Sequence, residues 1–183
     1  KLHYDYFASG SNIVNTNTFG ANSLKFDDDE LEKIVCCAVE NAKFARSSLE
    51  ASDSFNAAEP HFIAIDIGPC GKLIKPLGDI SFEDALQVFK KTIRLGLQNG
   101  ADCILIETMN DCYEAKAAIL AAKEVRTELG LDGDGAIDAG SSATKGAHYV
   151  PIFATTVFDE SALTLTGSSP ELMVTYLSSL GVD

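Results

Sequence analysis

Four short apolar runs punctuate the chain: "SNIVNT" (11–16), "HFIAIDIG" (61–68), "DCILIET" (102–108) and "YVPIFATTV" (149–157). They are β-branched and nearly continuous, which predicts strands covered on both faces, as in a parallel sheet. After each run the apolar spacing lengthens to the helical period. "KFDDDELEKI" opens a helix whose buried stripe is Leu31, Ile34, Val35, Ala38 and Ala42. In "ISFEDALQVFKKTIRLGLQNG" the stripe is Phe82, Ala85, Leu86, Phe89, Ile93 and Leu97; Ser81 with Asp84 makes the start and Gly100 the stop. Asp111 with Glu114 opens the next helix, whose face of Ala115, Ala118, Ile119, Ala122 and Val125 is small enough to lie close to a sheet. The last has Ser169 as cap, Pro170 at its first position and Gly181 past its end. The pattern is βα four times over, an α/β chain.

Between Gly130 and His148 runs "GLDGDGAIDAGSSATKGAH", rich in Gly, Ser, Ala and Asp and without period. It reads as a flexible loop or insertion at 130–148, since its glycine spacing matches neither nucleotide-binding fingerprint and no helix follows. With 183 residues, 46% of them hydrophobic, residues 1–183 can bury one core, and a single domain is expected.

Charge narrows the partners. Twenty-seven acidic against fourteen basic residues leave −13, which opposes contact with nucleic acid or an anionic membrane and favours a small-molecule partner. No apolar run approaches a membrane span, and "KLHYDYFASG" lacks the core of a secretion signal. Five cysteines without framework-like spacing fit free thiols in a reducing compartment, so a cytoplasmic location is expected.

In parallel α/β folds the active site lies at the carboxyl ends of the strands. Those ends carry Asn15, Thr16, Asn17 and Thr18, then Asp66, then Glu107 and Thr108, then Thr155 and Thr156. Strand-end Thr and Asn also cap helices or bond loop amides, so each has a structural reading beside the functional one. Glu107 stands apart: a carboxylate directly after "CILI" borders an apolar interior and needs a cationic or hydrogen-bonding partner to stay ionised.

Four ordered segments, "SGSNIVNTNTFGAN", "IDIGPCGKLIKPLGDISFEDA", "GADCILIETMNDCYEAKAAILAAKE" and "TTVFDESALTLTGSSPE", resemble the homocysteine S-methyltransferase family. The likeness is greatest to homocysteine-binding domains of the cobalamin-dependent methionine synthase type, and covers nearly everything but 130–148. It implies a (β/α)8 TIM barrel in which zinc binds the homocysteine sulfur and presents it as a thiolate to a methyl donor, giving methionine. Metal coordination is what makes the thiolate available at neutral pH. The resemblance puts Glu107 at the substrate's ammonium group, and Thr16, Asn17, Thr18 and Thr156 on the substrate rim. The donor stays open among methylcobalamin, a betaine-like compound and S-methylmethionine, with the segments leaning toward cobalamin on another domain.

The departures are as informative. The family's early Asp-Gly strand precedes the equivalent of His3, and its zinc cysteines follow the equivalent of "LGVD". The chain therefore resembles about strands 2–5 of eight, a partial barrel without the family's zinc ligands and inactive alone. The alternative is a non-catalytic half-barrel remnant or assembly module that self-associates through open sheet edges. Its own cysteines make poor substitutes. Cys36 and Cys37 point about 100° apart on a helix, Cys103 opens a strand and Cys112 a helix. Cys70, in "GPCG", is the only one on the rim, and His3, His61 and His148 are scattered, so no metal constellation is expected.

Overall fold

A computed structural model describes residues 1–52, 56, 59–133 and 149–183. Four strands, β1 (Ile13–Asn15), β2 (Phe62–Ile67), β3 (Cys103–Met109) and β4 (Ile152–Thr156), form one parallel sheet in the order β1-β2-β3-β4. The helices are α1 (Leu2–Ala8), α2 (Asp28–Glu50), α3 (Phe82–Gln98), α4 (Cys112–Glu128) and α5 (Pro170–Ser179). Each helix touches the next, α1 to α2 through α4 to α5, so they line up along one face of the sheet. Sequential parallel strands with helices on one side are the arrangement of a (β/α) barrel.

The predicted caps are present. Ser81 accepts from the Asp84 amide at 3.0 Å, Asp111 from the Glu114 amide at 2.7 Å, and Ser169 from the Leu172 amide at 3.3 Å. Asp27 does the same for Glu30 at the start of α2, where Asp28, Asp29 and Glu30 also meet the positive end of the helix. Helix α1 goes beyond the sequence reading. It has seven residues and one buried side chain, Phe7, too little for a period to show; Phe7 packs edge-on against the His61 ring.

Alternation along the strands separates two faces. Val14, Ile63, Ile65, Ile67, Ile104, Ile106 and Ile152 pack among the helices. Close approach is secured on that side by fully buried alanines of α4 and by Gly96 of α3, where a Cβ would lie 2.5 Å from Ile65 Cγ1. The opposite face therefore carries Ile13, Asn15, Phe62, Ala64, Asp66, Cys103, Leu105, Glu107, Phe153 and Thr155. Ile13 and Phe62, near the amino ends of this face, are 42% and 43% exposed.

The predicted loop or insertion at 130–148 falls mainly on residues 134–148, outside the described residues, as does His148. At its margins Asp132 pairs antiparallel with Tyr149. Among the described residues no helix is long and apolar enough to cross a membrane.

Candidate functional site

Strand pairing brings Asp66 and Glu107 together. Asp66 lies opposite Leu105, and both carboxylates fall on the face away from the helices, near the carboxyl ends of adjacent strands. Asp66 is only 5% exposed, and its Oδ1 has no hydrogen-bond partner. Burial, then the charge and hydrogen bonding of Glu107, push the Asp66 carboxyl up to about 7. A neighbouring carboxylate disfavours ionisation of Asp66. A proton on Asp66, or a cation placed beside it, would relieve that repulsion.

The backbone of Asp66 is held by a closed ring of hydrogen bonds. Its N–H donates to Thr16 Oγ1 at 3.1 Å, and Thr18 Oγ1 donates to its carbonyl at 2.7 Å. The Thr18 proton is thereby committed, so the 2.7 Å contact between the two hydroxyls runs from Thr16 to Thr18. Both threonines are 2% exposed. Their hydroxyls fasten the end of β1 to β2 and position Asp66.

The remaining expected rim residues are more dispersed. Asn17 is exposed and lines, with Lys1, His3, Asn15 and Phe44, an open groove of about 1000 Å³ along the free edge of β1. Asp66 and Glu107 are not among the lining residues. Alternation through Ile152 and Ala154 puts Thr156 on the helix side, and Thr155 on the face that carries Glu107. Asp66 was legible as a rim residue but was not singled out for binding. The signal was the one that marks Glu107, a carboxylate inside an apolar strand.

The cysteines do not assemble into a metal centre. Among the described residues no group of three or more His, Cys, Asp and Glu could hold a metal ion. Cys70 is buried, donates to the Lys72 carbonyl at 3.4 Å and receives no cation; burial and Glu114 push its thiol up to about 12. Burial also takes Cys103 up to about 12. Cys36 and Cys37 lie side by side on α2, half-buried and exposed. These residues do not fit a thiolate-bound zinc ion.

The raised Asp66 carboxyl has a consequence for stability. A carboxyl that is harder to ionise when folded contributes most at low pH, and its contribution is lost as pH rises from the unfolded value near 4 through about 7. Asp66→Asn removes that dependence. Relative to the parent, its melting temperature is expected to rise progressively between pH 4 and pH 8, and a pH-independent difference contradicts the coupling.

The described strands and helices form part of a (β/α) barrel, with paired acidic side chains at the strand ends. The sequence model for homocysteine S-methyltransferase matches residues 1–183, and the chain belongs to that family. It is 26% identical over 184 residues to methionine synthase of Mycobacterium tuberculosis and 25% identical over 183 residues to that of Mycobacterium leprae. All of this chain is covered in both cases, but it spans 14% of each relative. Among solved structures it resembles the Escherichia coli homocysteine methyltransferase MmuM. The TM-score is 0.71 for both the oxidized and the metallated form, each at 18% identity. The match covers 97% and 98% of this chain, and 56% and 58% of those chains. At that identity the likeness concerns the fold, and the chain corresponds to about half of a homocysteine methyltransferase barrel.

Proposed function

We propose that this chain carries part of the homocysteine-binding barrel, about strands 2–5 of eight, of a methionine-synthase-type homocysteine S-methyltransferase. The observation that carries the reading is the Asp66–Glu107 pair on the non-helix face of the sheet. A primary ammonium has three donors and a full positive charge. Placed between these carboxylates, it would displace the proton held by Asp66, satisfy the unpartnered Asp66 Oδ1 and pair with Glu107. Homocysteine carries such a group, and membership of the family supports it as substrate. Thr16 and Thr18 serve by fixing Asp66; Asn17 lines the groove along β1 and Thr156 faces the helices, so neither is assigned to the ammonium contact.

Activation of the sulfur is not assigned to this chain. The zinc expected from the family needs thiolate ligands, and the described cysteines are dispersed or held as thiols. The 183-residue chain alone is therefore expected to bind zinc no tighter than about micromolar and to lose it to a strong chelator. A stoichiometric, chelator-resistant site would contradict this. The activity itself is tested by supplying homocysteine and a methyl donor to the full-length protein that contains this segment. Methionine formation is expected, with methylcobalamin the favoured donor, and none from the 183-residue chain. No methionine from the full-length protein with methylcobalamin, a betaine-like donor or S-methylmethionine overturns the proposal.

A further inference from the structure

Strand β3 does not run evenly past β4. Ile106 pairs with Ala154 and Met109 with Thr156, so Glu107 and Thr108 together stand opposite the single residue Thr155. This is a β-bulge, and bulges re-aim side chains at sheet ends. Thr108 adopts φ +61°, a left-handed backbone that a β-branched residue rarely takes without support. The support is visible on both sides. Downstream, Met109 is fully buried among the helices and its carbonyl accepts the Val157 amide at 3.1 Å. Within the bulge, the Thr108 N–H donates to Thr155 Oγ1 at 2.9 Å.

We infer that Thr155 is a positioning residue, whose hydroxyl holds the bulge in the shape that aims the Glu107 carboxylate at Asp66. The left-handed turn at Thr108 ends the regular alternation immediately after Glu107 and returns Met109 to the helix-side core. Thr155 shares the non-helix face and can reach the Thr108 amide because one residue of β4 faces two of β3. The inference rests on the ammonium reading only for its effect on substrate. Its effect on the carboxylate pair is independent of any ligand.

The test uses Thr155→Val, which keeps the shape and removes the acceptor, Thr155→Ser, which restores it, and Thr155→Ala as a second deletion should valine not fold. Two quantities are read in the full-length protein: the Asp66 titration by carboxyl NMR without substrate, and homocysteine affinity. Loss of the hydroxyl is expected to lower the Asp66 midpoint, because Glu107 moves away. It should also weaken homocysteine about tenfold, the scale of one lost hydrogen bond. Serine is expected to restore both. An unchanged Asp66 midpoint in the valine and alanine variants overturns the positioning role, even if thermal stability falls. If the midpoint shifts but homocysteine affinity is untouched by both Thr155→Val and Glu107→Gln, positioning stands and the ammonium reading falls.

Discussion

Glu107→Gln is expected to weaken homocysteine binding by about tenfold to a hundredfold while leaving the fold intact. The amide keeps the shape of the side chain and removes its charge. A hydrogen bond assisted by charge is worth about 1.5–3 kcal/mol, which converts to that range of affinity. The same substitution removes the neighbouring charge that helps to raise the Asp66 carboxyl, so the Asp66 midpoint should fall. Metal content should not change, since Glu107 belongs to no group of potential ligands among the described residues. The rival role, a strand-end carboxylate that only bonds loop amides, predicts reduced thermal stability with near-normal homocysteine affinity.

The second large effect concerns the 183-residue chain by itself, which is expected to self-associate. Strands β1 and β4 are the two edges of its sheet, and unpaired parallel edges invite pairing. Near the β1 edge Ile13 and Phe62 are exposed on the non-helix face, and Phe44 of α2 is 77% exposed. A net charge of −13 opposes association, so added salt should promote it by screening the repulsion. Sedimentation is expected to show oligomers that grow with concentration and with salt. A compact monomer with one cooperative unfolding transition would contradict this expectation and favour a chain that is stable with its edges open.

Local chemistry was legible in the sequence; long-range pairing was not. The caps at Ser81, Asp111 and Ser169 and the left-handed Gly181 follow from residues within one turn of each other. The four strands were legible because apolar β-branched runs leave few alternatives at that length. Asp66 was harder, because its significance comes from Glu107, 41 positions further along the chain, and from the register that sets the two strands side by side. Thr16 and Thr18 were expected on the substrate rim, yet their hydroxyls are taken up by the Asp66 backbone, a ring that no local pattern encodes. The bulge at Thr108 was equally hidden, since nothing in "IETMND" announces a left-handed threonine. Val88, Thr92 and Gly96 widen the buried face of α3 beyond the predicted stripe, because that helix packs against both neighbours as well as the sheet.

The proposed contact between the Asp66–Glu107 pair and the ammonium group of homocysteine is tested most directly by comparing homocysteine with 4-sulfanylbutanoate, which lacks only that group. Binding of both is measured to the full-length protein and to its Glu107→Gln variant. In the unmutated protein the analogue is expected to bind about tenfold to a hundredfold more weakly, and Glu107→Gln should erase most of that difference by weakening homocysteine alone. Equal binding of the two compounds to the unmutated protein contradicts the account.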